Sequence, residues 1–280
     1  MKDVFMLKNE ILIIFLQIVF FSVIFCSPVF YSINKKLNEF SFLDKFSINK
    51  KVLINIFFVF SFIENSQLLL FIILTLLFVF NFIKLSSDYL KNKKVNYYFI
   101  PFFVILFFIS IDVAHELYFD WDTKIFWFFK VLNFYQGEVF SNLKNLPVND
   151  YPHLGSFVWS FFWKYPFNSF EYTGRMFYVL LYCLSIFSIS ECIKTKIHIK
   201  IIFAFLLIFL TYDYQFFSGE QDILVFSFLL IMSKFIFYLY DQKNYKNKLL
   251  LIFIFLLLSN ILFWIKNETI IFVLILSFSL

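Results

Sequence analysis

Two aspartates flank a tryptophan at Asp120-Trp121-Asp122, and a third lies in Asn149-Asp150-Tyr151-Pro152-His153. Further along, Glu220 and Asp222 stand with no lysine nearby, and Lys266-Asn267-Glu268 mixes both signs. Carboxylates in this number suit proton transfer to or from a hydroxyl, and hydrogen bonding to a polyhydroxylated substrate. The plain alternative is that loop acids are solvated and that the neighbouring Trp and Tyr anchor a membrane boundary. Clustering weighs against it, because acids and aromatics crowd one segment and further acids open two later apolar runs. Metal chemistry has no motif behind it: His115-Glu116 is not followed by a second His at helical spacing. Carboxylates alone are compatible with Mg²⁺ or Mn²⁺. No sequence feature calls for a cofactor or decides for such a metal. Cys26, Cys183 and Cys192 are scattered and form neither a disulfide framework nor a ligand set.

The elements that must position these residues are apolar. With 61% hydrophobic residues, 49 Phe and only 4 Gly in 280 positions, the chain has too little polar surface to coat a water-soluble globule. Part of the Phe excess fits an AT-rich genome and has no functional meaning. Apolar runs of about 17 to 25 residues span a bilayer as helices. Such runs fall at Ile11 to Tyr31, Val52 to Leu85, Tyr97 to Asp112, Tyr172 to Ser190, Ile199 to Tyr212, Asp222 to Tyr240, Leu249 to Trp264 and Thr269 to Leu280. Glu64-Asn65-Ser66-Gln67 interrupts the second run, which reads as a hairpin of two helices. The expectation is an all-α, polytopic bundle of about nine spans.

Lysine sets its orientation, since loops kept in the cytoplasm are rich in Lys and Arg. Five Lys occupy Lys35 to Lys51, four Lys84 to Lys94, three Lys194 to Lys200 and three Lys243 to Lys248. The loop after Asp112 instead carries five acids from Glu116 to Asp150 and belongs outside. The net charge of +5 thus has a topological explanation, and nucleic acid is not an expected partner. The chain divides into N-terminal spans over 1–112, a long extracytoplasmic loop over 113–170, and further spans over 171–280. Within the loop, Trp121, Trp127, Phe128, Val131, Leu132 and Tyr135 recur at helical intervals, which predicts a helix lying in the interface. Leu154 to Trp163 is too short to span and is expected to dip into the membrane surface.

The ordered set Asp120-Trp121-Asp122, Trp127, Lys130, Asn149-Asp150-Tyr151-Pro152, Gly219-Glu220-Gln221-Asp222 and Lys266-Asn267-Glu268 resembles bacterial membrane glycosyltransferases of the GT-C superfamily, relatives of the protein mannosyltransferases. The resemblance covers about Ile111 to Leu280. Thr269 stands where the pattern has Gly. Because a whole member continues for several more helices, the resemblance makes this chain the N-terminal part of one. It implies a polyprenyl-phosphate-linked sugar donor, an extracytoplasmic acceptor, and a bacterial plasma membrane around a multi-pass protein. It also implies roles: Asp122 as the base, with Asp120 as its rival; Asp150, Tyr151, Glu220 and Asp222 on substrate hydroxyls; Arg175 and Lys266 on the lipid phosphate. Glu268 either joins the substrate site or pairs with Lys266.

Two other classes share the hydropathy. A surface-polysaccharide polymerase or ligase should hold two lipid phosphates with basic outer loops, and here the loop is acid-dominated. A transporter should show broken, Gly-rich helices and an internal repeat, and neither is present.

Overall fold

The computed structural model describes residues 2–26, 40–92, 98–115, 118–146, 148–167, 170–193, 195–213, 217–241 and 245–278. Among them every regular element is helical. In chain order these are α1 (Lys2–Cys26), α2 (Phe42–Phe60), α3 (Ser66–Asn92), α4 (Phe99–His115), a π-helical turn (Thr123–Trp127) running into α5 (Phe128–Tyr135), a 3-10 turn (Phe140–Asn145), α6 (Leu154–Lys164), α7 (Tyr172–Ser190), α8 (Ile197–Thr211), α9 (Asp222–Asp241), α10 (Tyr245–Phe263) and α11 (Thr269–Phe278).

Each apolar run of the sequence has become a helix, and the polar break at Glu64 separates α2 from α3. Three helices contain stretches long and apolar enough to cross a membrane: Ser66–Ser87, Tyr172–Ser190 and Asp222–Tyr240. Side chains such as Leu76 and Ile83 on α3, and Phe209 and Leu210 on α8, are exposed without a protein neighbour to cover them. α7 is the opposite case, buried along almost its whole length between α4, α6, α8 and α9.

The helices are joined by aromatic contacts and by a small set of interhelical hydrogen bonds. Phe162 of α6 packs edge-on to Phe21 of α1 at 4.6 Å and stacks on Phe177 of α7 at 5.1 Å. Gln17 donates to the Phe162 carbonyl, Asn49 to the Phe25 carbonyl, Gln67 to Ser160 Oγ, and Asn260 to Asn55 Oδ1. Such bonds contribute about 0.6 kcal/mol each on average in membrane helices. Their larger effect is on register, since each one fixes a helix pair at one point along its length.

Two local expectations are corrected. α2 begins at Phe42 rather than Val52, started by a capping box in which Ser41 and Asp44 exchange side-chain and backbone bonds. That places Lys50 and Lys51 inside a helix, fully buried, and not in a lysine-rich loop. The stretch Leu154 to Trp163 does not lie at a surface: nine of the eleven α6 residues are buried, from Leu154 to Phe162. α5 packs on α6 and buries Lys130, Val131, Asn133 and Phe134, while Phe129 and the preceding Trp121 stay exposed.

The connecting segments sort to two ends. At one, Phe140 donates to the Ser61 carbonyl, Asn65 to the Gly137 carbonyl and Leu154 to the Trp264 carbonyl at 2.9 Å. At the other, Ser41 Oγ donates to Glu191 at 2.6 Å and Lys200 to the Glu191 carbonyl. The first carries Asp120, Asp122, Glu220 and Asp222 and is the acidic end; the second, which among the described residues carries Lys196, Lys200 and Lys234, is the lysine end.

Candidate functional site

Three separate segments bring charge together at the acidic end. Phe119 and Asp120 precede the π-helical turn, and Asp122 is its N-cap residue, with no capping bond to its carboxylate. Glu220 follows Gly219, and Asp222 opens α9. Lys266 and Glu268 occupy the turn between α10 and α11.

Glu220 and Asp120 are joined side chain to side chain. Burial, the bond to Asp120 and the charges of Asp222, Asp120 and Asp122 push the Glu220 carboxyl up to about 7. The same bond holds Asp120 below the usual carboxylate range. The arrangement is therefore one proton held on Glu220 and donated to an ionised Asp120, as expected when two carboxyls share a site. Lys266 Nζ meets both oxygens of Asp222, at 2.8 and 2.9 Å. Burial works against its charge, but the bond and charge of Asp222, with Glu268 and Glu220 behind, carry its pKa above the ordinary value. Glu268 is exposed and acts on Lys266 only through its charge.

Gly219 makes the approach of Glu220 to Asp120 feasible. Its φ of +106° is a conformation that side-chain-bearing residues rarely adopt. A Cβ there would also lie 2.5 Å from both Thr123 and the Trp159 ring. Gly155 fulfils a related need one layer down, where a Cβ would collide with Gln221 Oε1 at 1.6 Å. Three of the four glycines, at 155, 174 and 219, pack around Trp159 and the 217–221 segment.

Arg175 lies beneath this layer and is fully buried. Its Nε and Nη2 donate to Glu171, one turn earlier on the same helix, and Nη1 donates to the Phe217 carbonyl at 2.8 Å. The guanidinium also sits over the Phe119 ring at 5.2 Å. One side of Arg175 thus touches the residue before Asp120 and the other the loop leading to Glu220. The geometry makes it a bracket for the carboxyl pair, with its planar group already engaged.

Asp150 and Tyr151 do not join this cluster. They line a separate pocket, and Lys130 Nζ donates to the Tyr151 carbonyl at 2.5 Å. Burial lowers the Lys130 pKa to about 8, with Asp150 opposing the shift. The Tyr151 ring packs on Phe126 at 5.1 Å and Trp127 at 5.7 Å. Neighbouring His153 is fully buried, and burial with the Lys130 charge lowers its pKa to about 3, so it stays neutral.

No protein-family model, curated protein or solved structure matches the chain.

Among the described residues no group of three or more His, Cys, Asp or Glu side chains is arranged to hold a metal ion.

Sequence reasoning missed the bracket and the glycine packing. Glu171, four residues before Arg175, was the available signal for the first, because charges at that spacing meet on a helix. It also missed a second charged group at the lysine end. There Lys234 of α9 pairs with Asp44 of α2 at 2.6 Å and with Glu191 at 3.1 Å, and it donates to Ser188. A lone lysine inside the apolar run Asp222 to Tyr240 was the signal.

Proposed function

We propose that the chain is a membrane glycosyltransferase, or the N-terminal part of one, that moves a sugar from a polyprenyl-phosphate carrier to an acceptor outside the cytoplasm. In this reading the bundle of about nine apolar runs sits in a bacterial plasma membrane, with the acidic end outside. The single observation that carries it is the convergence of Asp120, Asp122, Glu220, Asp222 and Lys266, from three segments separated in the chain by about 100 and by 44 residues, at one end of an apolar bundle. Charged groups at a membrane boundary are costly to gather unless the cluster does something.

The chemistry runs as an inverting displacement. The acceptor hydroxyl oxygen attacks the anomeric carbon, and its proton passes to Asp122, whose carboxylate is free of a capping bond. The new carbon–oxygen bond forms as the bond from the anomeric carbon to the phosphate oxygen breaks, and the phosphate leaves with the electron pair. Lys266 supplies the positive charge nearest the carboxylates and acts on the departing phosphate. Asp120 and Glu220 share a proton and hold the loop in place. Arg175 positions them and is not assigned to the phosphate.

Asp122→Asn removes the proton-accepting charge and keeps the side chain's size, so it should slow transfer by about 10² to 10⁴. The assay uses the full-length protein in membranes with a polyprenyl-phosphate sugar and native acceptor, with membrane abundance unchanged. Full activity in both Asp122→Asn and Asp120→Asn would sink the carboxylate mechanism.

A further inference from the structure

Between the Asn149–His153 turn and the α10–α11 turn lies a pocket of about 580 Å³ that the carboxyl cluster does not use. Trp264, Phe140 and Tyr151 give it aromatic walls, and Asp150, Asn149 and Asn267 give it planar polar groups. We propose that this pocket binds a neutral saccharide, which on the glycosyl-transfer reading is the hydroxyl-bearing acceptor.

The wall chemistry selects the ligand class. A pyranose has an apolar C–H face that lies against an aromatic ring, and a rim of vicinal hydroxyls that pair with carboxylates and carboxamides. Asp150 and Asn267 are exposed side chains at the rim, and Trp264 is half-buried beside them. Anionic ligands are disfavoured. Lys130 is turned to the Tyr151 carbonyl, Lys266 does not line the pocket, and Asp150 would repel a phosphate or carboxylate.

His153 adds no positive charge either. The Ser61 hydroxyl donates its one proton to the Phe58 carbonyl at 2.7 Å. The 2.8 Å contact between Ser61 Oγ and His153 Nε2 must then be donated by the ring, which leaves Nδ1 bare. Its pKa of about 3 keeps it so throughout the working range.

The pocket is also held in shape before any ligand arrives. The Leu154 amide donates to the Trp264 carbonyl at 2.9 Å and ties the two rims together. Phe140 lies 4.4 Å from the His153 ring, and Trp264 lies 4.7 Å from Phe58. Preformed walls reduce the ordering cost of binding. Asn267 lines this pocket while Lys266, the residue before it, reaches Asp222, so a single turn separates the saccharide from the carboxyl cluster.

The test is saturation-transfer NMR on the protein in lipid nanodiscs, with methyl glycosides of glucose, galactose, mannose and N-acetylglucosamine as probes. At least one should show saturation of its ring protons. Trp264→Ala should weaken that binding a few-fold to about tenfold, and Asn267→Ala should weaken it with helical content unchanged. Lys196→Ala, at an exposed position just before α8 and far from the pocket, should leave it intact. No saturation with any probe, or saturation unaffected by Trp264→Ala and Asn267→Ala, overturns the proposal and leaves Trp264 as a membrane-boundary anchor. The underlying reading fails separately. Saccharide binding with a harmless Asp122→Asn keeps the pocket and sinks the transferase. Transfer that needs Asp122 but not Trp264 or Asn267 does the reverse.

Discussion

The two ends of the bundle use charge in opposite ways. At the lysine end, Lys234 is fully buried between Asp44 and Glu191, Asp44 accepts from Tyr238 at 3.1 Å, and Ser41 bonds Glu191. Each acid there has a close partner, with Asp44 enclosed and Glu191 only slightly open to solvent. At the acidic end, Asp122 takes no capping bond, Glu220 is held protonated near neutrality, and Asp222 is about half exposed in its pair with Lys266. Charge that is paired and enclosed fixes helices; charge that is crowded and open is poised to exchange protons. The contrast separates a fastening from a site without any appeal to relatives.

An all-or-none result comes first. Cysteines introduced at Asn142 and at Thr195 should label from opposite sides of intact cells, Asn142 from outside. Labelling of both from one side would abolish the assignment of the two ends to two faces of a membrane. Next in size is Lys234→Met, which leaves Asp44 and Glu191 buried without their cation and should cost about 3–5 kcal/mol, read as thermal unfolding in detergent. Asp122→Asn should stay within about 0.5 kcal/mol of the parent. Comparable losses in the two variants would erase the distinction between the ends.

The smallest effect is a pH dependence. The Glu220 carboxyl lies near 7 in the fold against an ordinary 4.5, so between those values the folded protein keeps a proton that the unfolded chain releases. Its contribution is therefore most favourable below the ordinary value and declines as pH rises toward 7. Glu220→Gln should flatten that part of the stability profile. A profile identical to the parent's would mean that Glu220 is not the proton holder.

Hydropathy revealed the helices because burial in an apolar medium is written residue by residue, and the break at Glu64 to Gln67 was visible for the same reason. The gathering of acids was legible from charge asymmetry between loops. What escaped was non-local. Lys50 and Lys51 look like loop residues until Phe25, Phe46, Phe177 and Phe235 close around them. Arg175 looks like a phosphate ligand until the Phe217 carbonyl and the Phe119 ring fill its plane. Asp150 shares a loop of the sequence with Asp122, yet α5 and the turns after it carry it to a different pocket. Leu154 to Trp163 was misjudged because an eleven-residue apolar helix at an interface and one inside a bundle have the same composition.

The charged group at the lysine end also bears on how the protein is made. Asp44 and Tyr238 are 194 positions apart, and Lys234 is nearly as far from Asp44. At about 5–20 residues per second, synthesis of that interval takes roughly 10 to 40 seconds. On the membrane-spanning reading, α2 carries Asp44, Lys50 and Lys51 throughout this period without the helix that neutralises its acid. An intramembrane acid without its partner is unfavourable in lipid. The second helix must therefore wait, shielded by water at the boundary or by the insertion machinery, until the ninth arrives, and its final seating is a late event in assembly.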